Sequence, residues 1–289
     1  MPAIAPYEFS GGTAVLTGAA SGMGEQMAYG LAARGSDLVL VDRDAERLES
    51  VAATVRKTHP DRKIDTYVAD LSDIPGIDDL AARILDAHPR ITLLINNAGV
   101  ALAGQFHECT AEEFDWVMNI NFRAPVALTR LLLPRLKESR GSHIVNISSL
   151  FGLIAPPGQS AYSSSKFALR GFTEAIRHEL AWAGVGVTSV HPGGIRTRIA
   201  ESARSGSGVD QAEVKKGKEG FAKMLTFPAD KAAEQILTGV RRRRGRVLIA
   251  SSAVVCDVLA RVFPASYFNL IVRTQGRKAR KAAFGKATA

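Results

Sequence analysis

Cysteine is almost absent from this chain of 289 residues: Cys109 and Cys256 are the only two. Two cannot make a disulfide framework, so the sequence points to a reducing, intracellular compartment, cytoplasmic by default. Long apolar runs are missing as well. The longest charge-free stretch near the C-terminus, Val262 to Val272, falls well short of the ~20 residues that cross a bilayer. The first nine residues carry no basic n-region and no apolar h-region, which argues against a cleaved signal. Acids are scarce in one place only. From Gly239 to Ala289 there are twelve bases and a single acid, Asp257, while the 238 residues before them hold two more acids than bases. The net charge of +9 therefore belongs to the C-terminal end. A nucleic-acid-binding domain is disfavoured, because it would carry its basic surface on the folded body.

What remains is 46% apolar, with 26 glycines and 12 prolines, enough for one large α/β domain. Short apolar runs read as buried strands at Ala14–Thr17, Leu38–Asp42, Ile64–Ala69, Thr92–Asn96, His143–Ser148, Val185–His191 and Val247–Ala250. Segments of 3.6-residue periodicity lie between them, at Gly24–Arg34, Ala45–Lys57, Ile77–Ala87, Glu112–Lys137, Ser163–Trp182 and Asp230–Arg242. This alternation predicts a single doubly wound, Rossmann-type domain over residues 1–250, a seven-stranded parallel sheet with helices on both faces. One stretch breaks the rhythm. Glu201 to Gly220 is polar and almost without large apolar residues, and it is expected to be a mobile cover over a substrate cleft, an inert surface loop being the alternative.

The first strand runs into Thr17-Gly18-Ala19-Ala20-Ser21-Gly22-Met23-Gly24 and then a helix. Glycines there let the backbone turn tightly and approach a pyrophosphate, which the amides and dipole of a helix N-terminus favour. Asp42 ends the second strand eighteen residues past Gly24, where an acid can meet adenosine ribose hydroxyls and repel a 2′-phosphate. NAD is thereby favoured over NADP. Arg43 beside it could instead bind that phosphate, and Asp42 could be no more than a helix N-cap.

Tyr162 and Lys166 stand at i and i+4 of a predicted helix, so they project from one face. A free phenol, with a pKa of about 10, is a poor base near neutrality, and a neighbouring ammonium, aided by an oxidised nicotinamide ring, would lower it. With Ser149 thirteen residues before Tyr162, the chain resembles the short-chain dehydrogenases/reductases of the Tyr-x3-Lys branch. The likeness runs from about Gly11 to about Ala250 and rests on motifs in order. These are the glycine turn, Asp70, Asn96-Asn97-Ala98-Gly99, Asn121, Ser149, Tyr162, Lys166 and Pro192-Gly193-Gly194-Ile195-Arg196-Thr197.

The resemblance implies that Tyr162 is the general acid/base, that Ser149 polarises the substrate oxygen, and that Lys166 binds the nicotinamide ribose. Asn121 would hold a water linking Lys166 to solvent. Gly18, Ser21, Gly22, Met23 and Gly24 would meet the cofactor phosphates, Asp42 the ribose with Arg43 beside it at the 2′ position, Asp70 and Leu71 the adenine. Asn97, Ala98 and Gly99 would line the cleft, and Pro192, Gly193, Ile195 and Thr197 its nicotinamide end, with Ile195 and Thr197 on the carboxamide. No metal is expected. Pro125, four residues past Asn121, has no N–H to give the Asn121 carbonyl, so either a kink frees that carbonyl for the water or the helix simply bends around the core. His191 is expected to end a strand rather than act as a base, and Cys109 has no neighbour that would activate it.

The expected substrate is a small-molecule secondary alcohol or ketone, lipophilic because Leu153, Ile154, Pro156 and Pro157 lie between Ser149 and Tyr162. The alternatives are an NADP(H)-dependent carbonyl reductase and a non-catalytic nucleotide-binding sensor. The family likeness favours a homodimer or homotetramer. Residues 251–289 form a separate expectation, an amphipathic, strongly basic helical extension in which Val254, Val255, Val258, Leu259, Val262 and Phe263 recur at helical spacing ahead of Arg273, Arg277, Lys278, Arg280, Lys281 and Lys286. It could pack over the cleft or a subunit interface, or rest on an anionic membrane surface.

Overall fold

The structure, a computed structural model, describes residues 5–274. Arg277, Lys278, Arg280, Lys281 and Lys286 lie outside the described residues. β1 (Thr13–Thr17) leads through the glycine turn into α1 (Gly22–Ala33); β2 (Asp37–Asp42), α2 (Ala45–Thr58), β3 (Ile64–Val68) and α3 (Gly76–Ala87) repeat the unit. β4 (Ile91–Asn96) is followed by a two-residue strand, β5 (Leu102–Ala103), and by α4 (Ala111–Met118) and α5 (Ala124–Glu138). β6 (His143–Ile147) and α6 (Ser160–Leu180) come next. β7 (Gly186–Pro192) opens onto α7 (Ile199–Ser202), β8 (Arg204–Ser205) and α8 (Gln211–Met224). α9 (Ala229–Arg241), β9 (Arg246–Ile249), α10 (Ser251–Val262) and α11 (Tyr267–Thr274) complete the described chain.

The seven predicted strands form one parallel sheet in the order β3-β2-β1-β4-β6-β7-β9. They read as continuous apolar runs because both faces are covered. In β1, Ala14 and Leu16 face a layer built with Met27 and Leu31 of α1 and Ile236 and Leu237 of α9. Val15 faces the other layer, built with Leu80 and Ile84 of α3 and Leu128 and Leu132 of α5. After β3 the chain crosses back to place β4 on the other side of β1. That reversal opens a crevice at the C-terminal ends of β1 and β4, where ligands of such sheets bind.

Two expectations are corrected. The polar stretch Glu201–Gly220 is not one long loop: β8 pairs with β5, and most of the remainder is α8. Asp210 caps that helix, accepting from the Ala212 N–H at 2.8 Å. Glu112–Lys137 is not one α-helix either, because it widens into a π turn at Asn119–Arg123 directly before Pro125. The Ala124 N–H reaches back five residues to the Asn119 carbonyl, and Pro125 has no N–H for Asn121.

Beyond β9, α10 is fastened to the sheet through Asp257, which accepts from Arg246 at 2.9 Å and from Arg261 at 3.1 Å. α11 reaches the loop between Ser149 and Tyr162: the Ala155 N–H donates to the Tyr267 hydroxyl at 2.9 Å.

Candidate active site

The three glycines of the first turn are fixed by sterics. Gly18 and Gly22 have φ of +66° and +58°, in the left-handed region that disfavours a side chain. A Cβ on Gly18 would lie 2.8 Å from the Ala98 Cα, and one on Gly22 would lie 2.9 Å from the Thr197 Cγ2. Gly24 packs directly on the Gly18 carbonyl. Asn97 braces the same turn, its side-chain amide donating to the Thr17 and Gly18 carbonyls at 3.0 Å each. Ser21 is the N-cap of α1 but makes no side-chain capping bond, so the first-turn amides are left for an anion.

Against this turn lies a cavity of about 310 Å³ at the crevice, walled by Gly18, Ser21 and Met23, by Asp42 and Arg43, by Asp70 and Leu71, by Asn97 to Gly99, and by Thr197. The unpaired helix amides at one end and the carboxylate-bearing wall at the other fit a dinucleotide. Asp42 is not the cap of α2; that is Asp44, which accepts from the Arg47 N–H. The Asp42 carboxylate instead ties β2 to the glycine turn, accepting from the Ala20 N–H at 3.0 Å and the Asp44 N–H at 3.1 Å. Pro192, Gly193 and Ile195 do not wall the cavity. The Ile195 side chain joins the core and its N–H goes to the Gly193 carbonyl, so this turn reaches the cavity through Thr197. Arg47, Arg198 and Ser202 also line it, and sequence reasoning missed all three. Only Arg47 had a signal, one helical turn from the Asp44 cap.

Beyond Gly99 the cavity wall meets the other cluster. A Cβ on Gly99 would lie 3.2 Å from the Lys166 Nζ and 3.3 Å from the Asn121 Oδ1. Lys166 is buried, donates to the Ile147 carbonyl at 3.0 Å and sits 5.8 Å from the centre of the Tyr162 ring. Burial pulls its pKa down to about 8. Tyr162 packs among Ala101, Ala203, Phe151 and Ile199. Burial raises its pKa and the hydrogen bond to Ser149 lowers it, with burial the larger effect. Among this chain's own groups desolvation therefore outweighs the hydrogen bond. The Ser149 Oγ also accepts from the Phe151 N–H at 3.1 Å.

Asn121 is fully buried and its amide is spent. Oδ1 accepts from the Val100 N–H at 2.9 Å, while Nδ2 donates to the Val100 carbonyl and the Ser165 Oγ, both at 3.0 Å. The side chain thus pins the strand-end loop to α6, and any water it serves would be held by its backbone carbonyl. His191 is buried, with its pKa pushed down to about 4, chiefly by desolvation. It donates from Nδ1 to the Ser149 carbonyl at 3.1 Å and accepts at Nε2 from Ser189, which makes it a support for Ser149. Burial and two nearby glutamates raise the Cys109 pKa, the opposite of activation.

Known proteins resemble this chain in sequence and fold. The family model described as short chain dehydrogenase matches residues 12–208. SadH of Mycobacterium tuberculosis, itself named only provisionally as an oxidoreductase, is 37% identical over 91% of this chain and 95% of its own length. The Xenopus laevis protein named dehydrogenase/reductase SDR family member 7B is 34% identical over 93% of this chain and 83% of its own. A short-chain dehydrogenase/reductase from Burkholderia phymatum, solved with NAD, superposes with a TM-score of 0.80 at 28% identity over 89% of this chain and 95% of that one. One from Sphingobium yanoikuyae, solved with NADPH, gives 0.73 at 29% over 92% and 96%. The chain belongs to the short-chain dehydrogenase/reductase family of oxidoreductases.

Proposed function

We propose that the protein is an NAD(H)-dependent oxidoreductase that interconverts a lipophilic secondary alcohol and its ketone. One observation carries this reading: the Tyr162 phenol and the Lys166 ammonium are buried together, the phenol hydrogen-bonded to the half-buried Ser149 hydroxyl and the ammonium behind Gly99, at the end of a cavity that suits a dinucleotide. A bound nicotinamide would supply or accept the hydride at the substrate carbon. The chain's own groups manage the proton and the charge. Tyr162, kept protonated by its burial, donates its proton to the carbonyl oxygen in reduction and takes it back in oxidation. Ser149 donates to the same oxygen as negative charge develops there. Lys166 holds a positive charge under the phenol and near the cavity wall, stabilising the phenolate once the proton has left.

Asp42 supports NAD, since its carboxylate stands on the wall where a 2′-phosphate would be repelled. Arg43, Arg47 and Arg198 on the same cavity favour the second reading, in which NADP is used. The apolar surroundings of Tyr162, with Leu153 and Ile154 buried nearby in sequence, support a lipophilic substrate.

The test is initial-rate activity over a panel of secondary alcohols and ketones with NAD(H) against NADP(H), repeated with Tyr162→Phe. The variant should keep cofactor binding and lose about 10²–10⁴-fold in turnover, the usual weight of a positioned acid/base. Undiminished turnover would sink the mechanism; cofactor binding with no turnover by the wild type on any compound would support a sensor. For cofactor choice, Asp42→Ala should shift the NAD/NADP ratio of kcat/KM toward NADP by about ten-fold, the equivalent of ~1.4 kcal/mol.

A further inference from the structure

α10 is built inside out. Its buried side carries Ala253 and the helix's only acid, Asp257, whose charge is held between Arg246 and Arg261. Its outer side carries Val254, Val255 and Val258 and, one turn on, Val262 and Phe263, each between 45% and 60% exposed. At 100° per residue Val254, Val258, Val262 and Val255 fall within one arc of about 100°, with Arg261 at its margin. An apolar stripe of this kind is ordinarily turned inward; here it is turned to the outside, and the acid is turned away from it.

The charge that follows the stripe in the sequence selects what covers it. After Asp257 the sequence has seven bases and no acid: Arg261, Arg273, Arg277, Lys278, Arg280, Lys281 and Lys286. A second copy carries the same excess of bases, and like charges oppose pairing with it. An anionic surface that also accepts apolar side chains answers both features, and a bilayer with acidic headgroups is such a surface. Among the described residues no helix is long and apolar enough to cross a membrane, so the contact is with the surface.

We propose that the outer face of α10, with the bases that follow it, docks the protein on an anionic lipid surface. Tyr267 of α11 binds the loop between Ser149 and Tyr162, so docking would set the mouth of the site beside the lipid. That last step, unlike the docking, rests on the reading of the site as an oxidoreductase.

The experiment is vesicle flotation of the full chain with phosphatidylcholine alone and with added phosphatidylserine, at low and high salt. The wild type should float only with phosphatidylserine, and less as salt rises. V254D/V258D, with its fold checked by circular dichroism and its mass by light scattering, should float at least about ten-fold less, since two apolar anchors become acids. V262N gives a milder second variant at the other end of the stripe and should float measurably less. Equal flotation of wild type and variants, no flotation of the wild type, or flotation indifferent to phosphatidylserine and salt would overturn the proposal. So would a fall in oligomer mass in V254D/V258D with flotation unchanged, which would assign the stripe to a second copy. None of these outcomes depends on turnover, so docking and chemistry can fail separately.

Discussion

Burial decides the protonation of single residues at both ends of the sheet, and each decision can be read in solution. At the site end, Lys166 is charged below a pH of about 8 and loses its proton above it, because desolvation has pulled its pKa down from 10.5. Tyr162 is held protonated over the same range by burial. Under the proposed mechanism, ketone reduction should therefore run evenly through neutral pH and fall as pH rises past about 8, when Lys166 would no longer stabilise the phenolate. A pH profile of kcat/KM checks this, and a flat profile to strongly alkaline pH would separate Lys166 from the chemistry. At the other end His143 is completely buried, with its pKa pushed down to about 3 by desolvation first and the Arg243 guanidinium second. Arg243 donates to Nδ1 at 2.9 Å, so Nε2 keeps the proton and donates to Thr188 at 2.7 Å. Unfolded, a histidine takes up its proton near 6.5; folded, His143 does so only near 3. The unfolded state thus binds more protons between those values. Stability from the neutral ring is present in full above 6.5 and is lost as pH falls toward 3, by up to ~1.4 kcal/mol per pH unit. His143→Gln should flatten that slope by about one proton in urea melts taken across the window.

At the scale of elements, the glycine turn is the piece that geometry constrains most. Gly18→Ala puts a Cβ at positive φ against the Ala98 backbone, and backbone cannot retreat as a flexible side chain could. A loss of about 1–3 kcal/mol in stability is expected from the strain, with weaker cofactor binding by calorimetry because Asn97 and the first turn of α1 are displaced together. This turn was legible from sequence because its glycines sit in a row between a strand and a helix. The Tyr162–Lys166 pair was legible for a similar reason, since helical spacing alone puts both on one face. α8 was not. Its residues are nearly all exposed, so no apolar stripe marks it, and a helix without a buried face reads as a polar loop. The cradle of Asn121 and Val100 was hidden too: the roles of an amide depend on which backbone groups the fold brings to it. His143 and Arg243 lie a hundred residues apart, and only the strand order β6-β7-β9 brings them into contact.

For the molecule as a whole, the alternation of runs was enough to foresee a parallel sheet, because strands covered on both faces are apolar throughout. It was not enough to show where the fold ends. A boundary at residue 250 follows from the end of the family likeness, yet the contacts run across it. Asp257 gives Arg246 of β9 its ion pair, Ala253 and Val272 are buried, and Tyr267 takes the Ala155 N–H. Ending the chain at Ala250 would strip Arg246, a partly buried arginine, of its carboxylate and uncover the loop after Ser149. Leaving one such group unsatisfied costs about 1–3 kcal/mol, and lost apolar burial adds to it. At roughly 2–4 °C per kcal/mol for a chain of this size, the melting temperature should drop by about 5–10 °C. Calorimetry on the shortened chain, with Asp257→Asn in the full chain as the milder comparison, measures it. An unchanged melting temperature in both would mean that the last helices are an appendage, and that the body is complete at the end of β9.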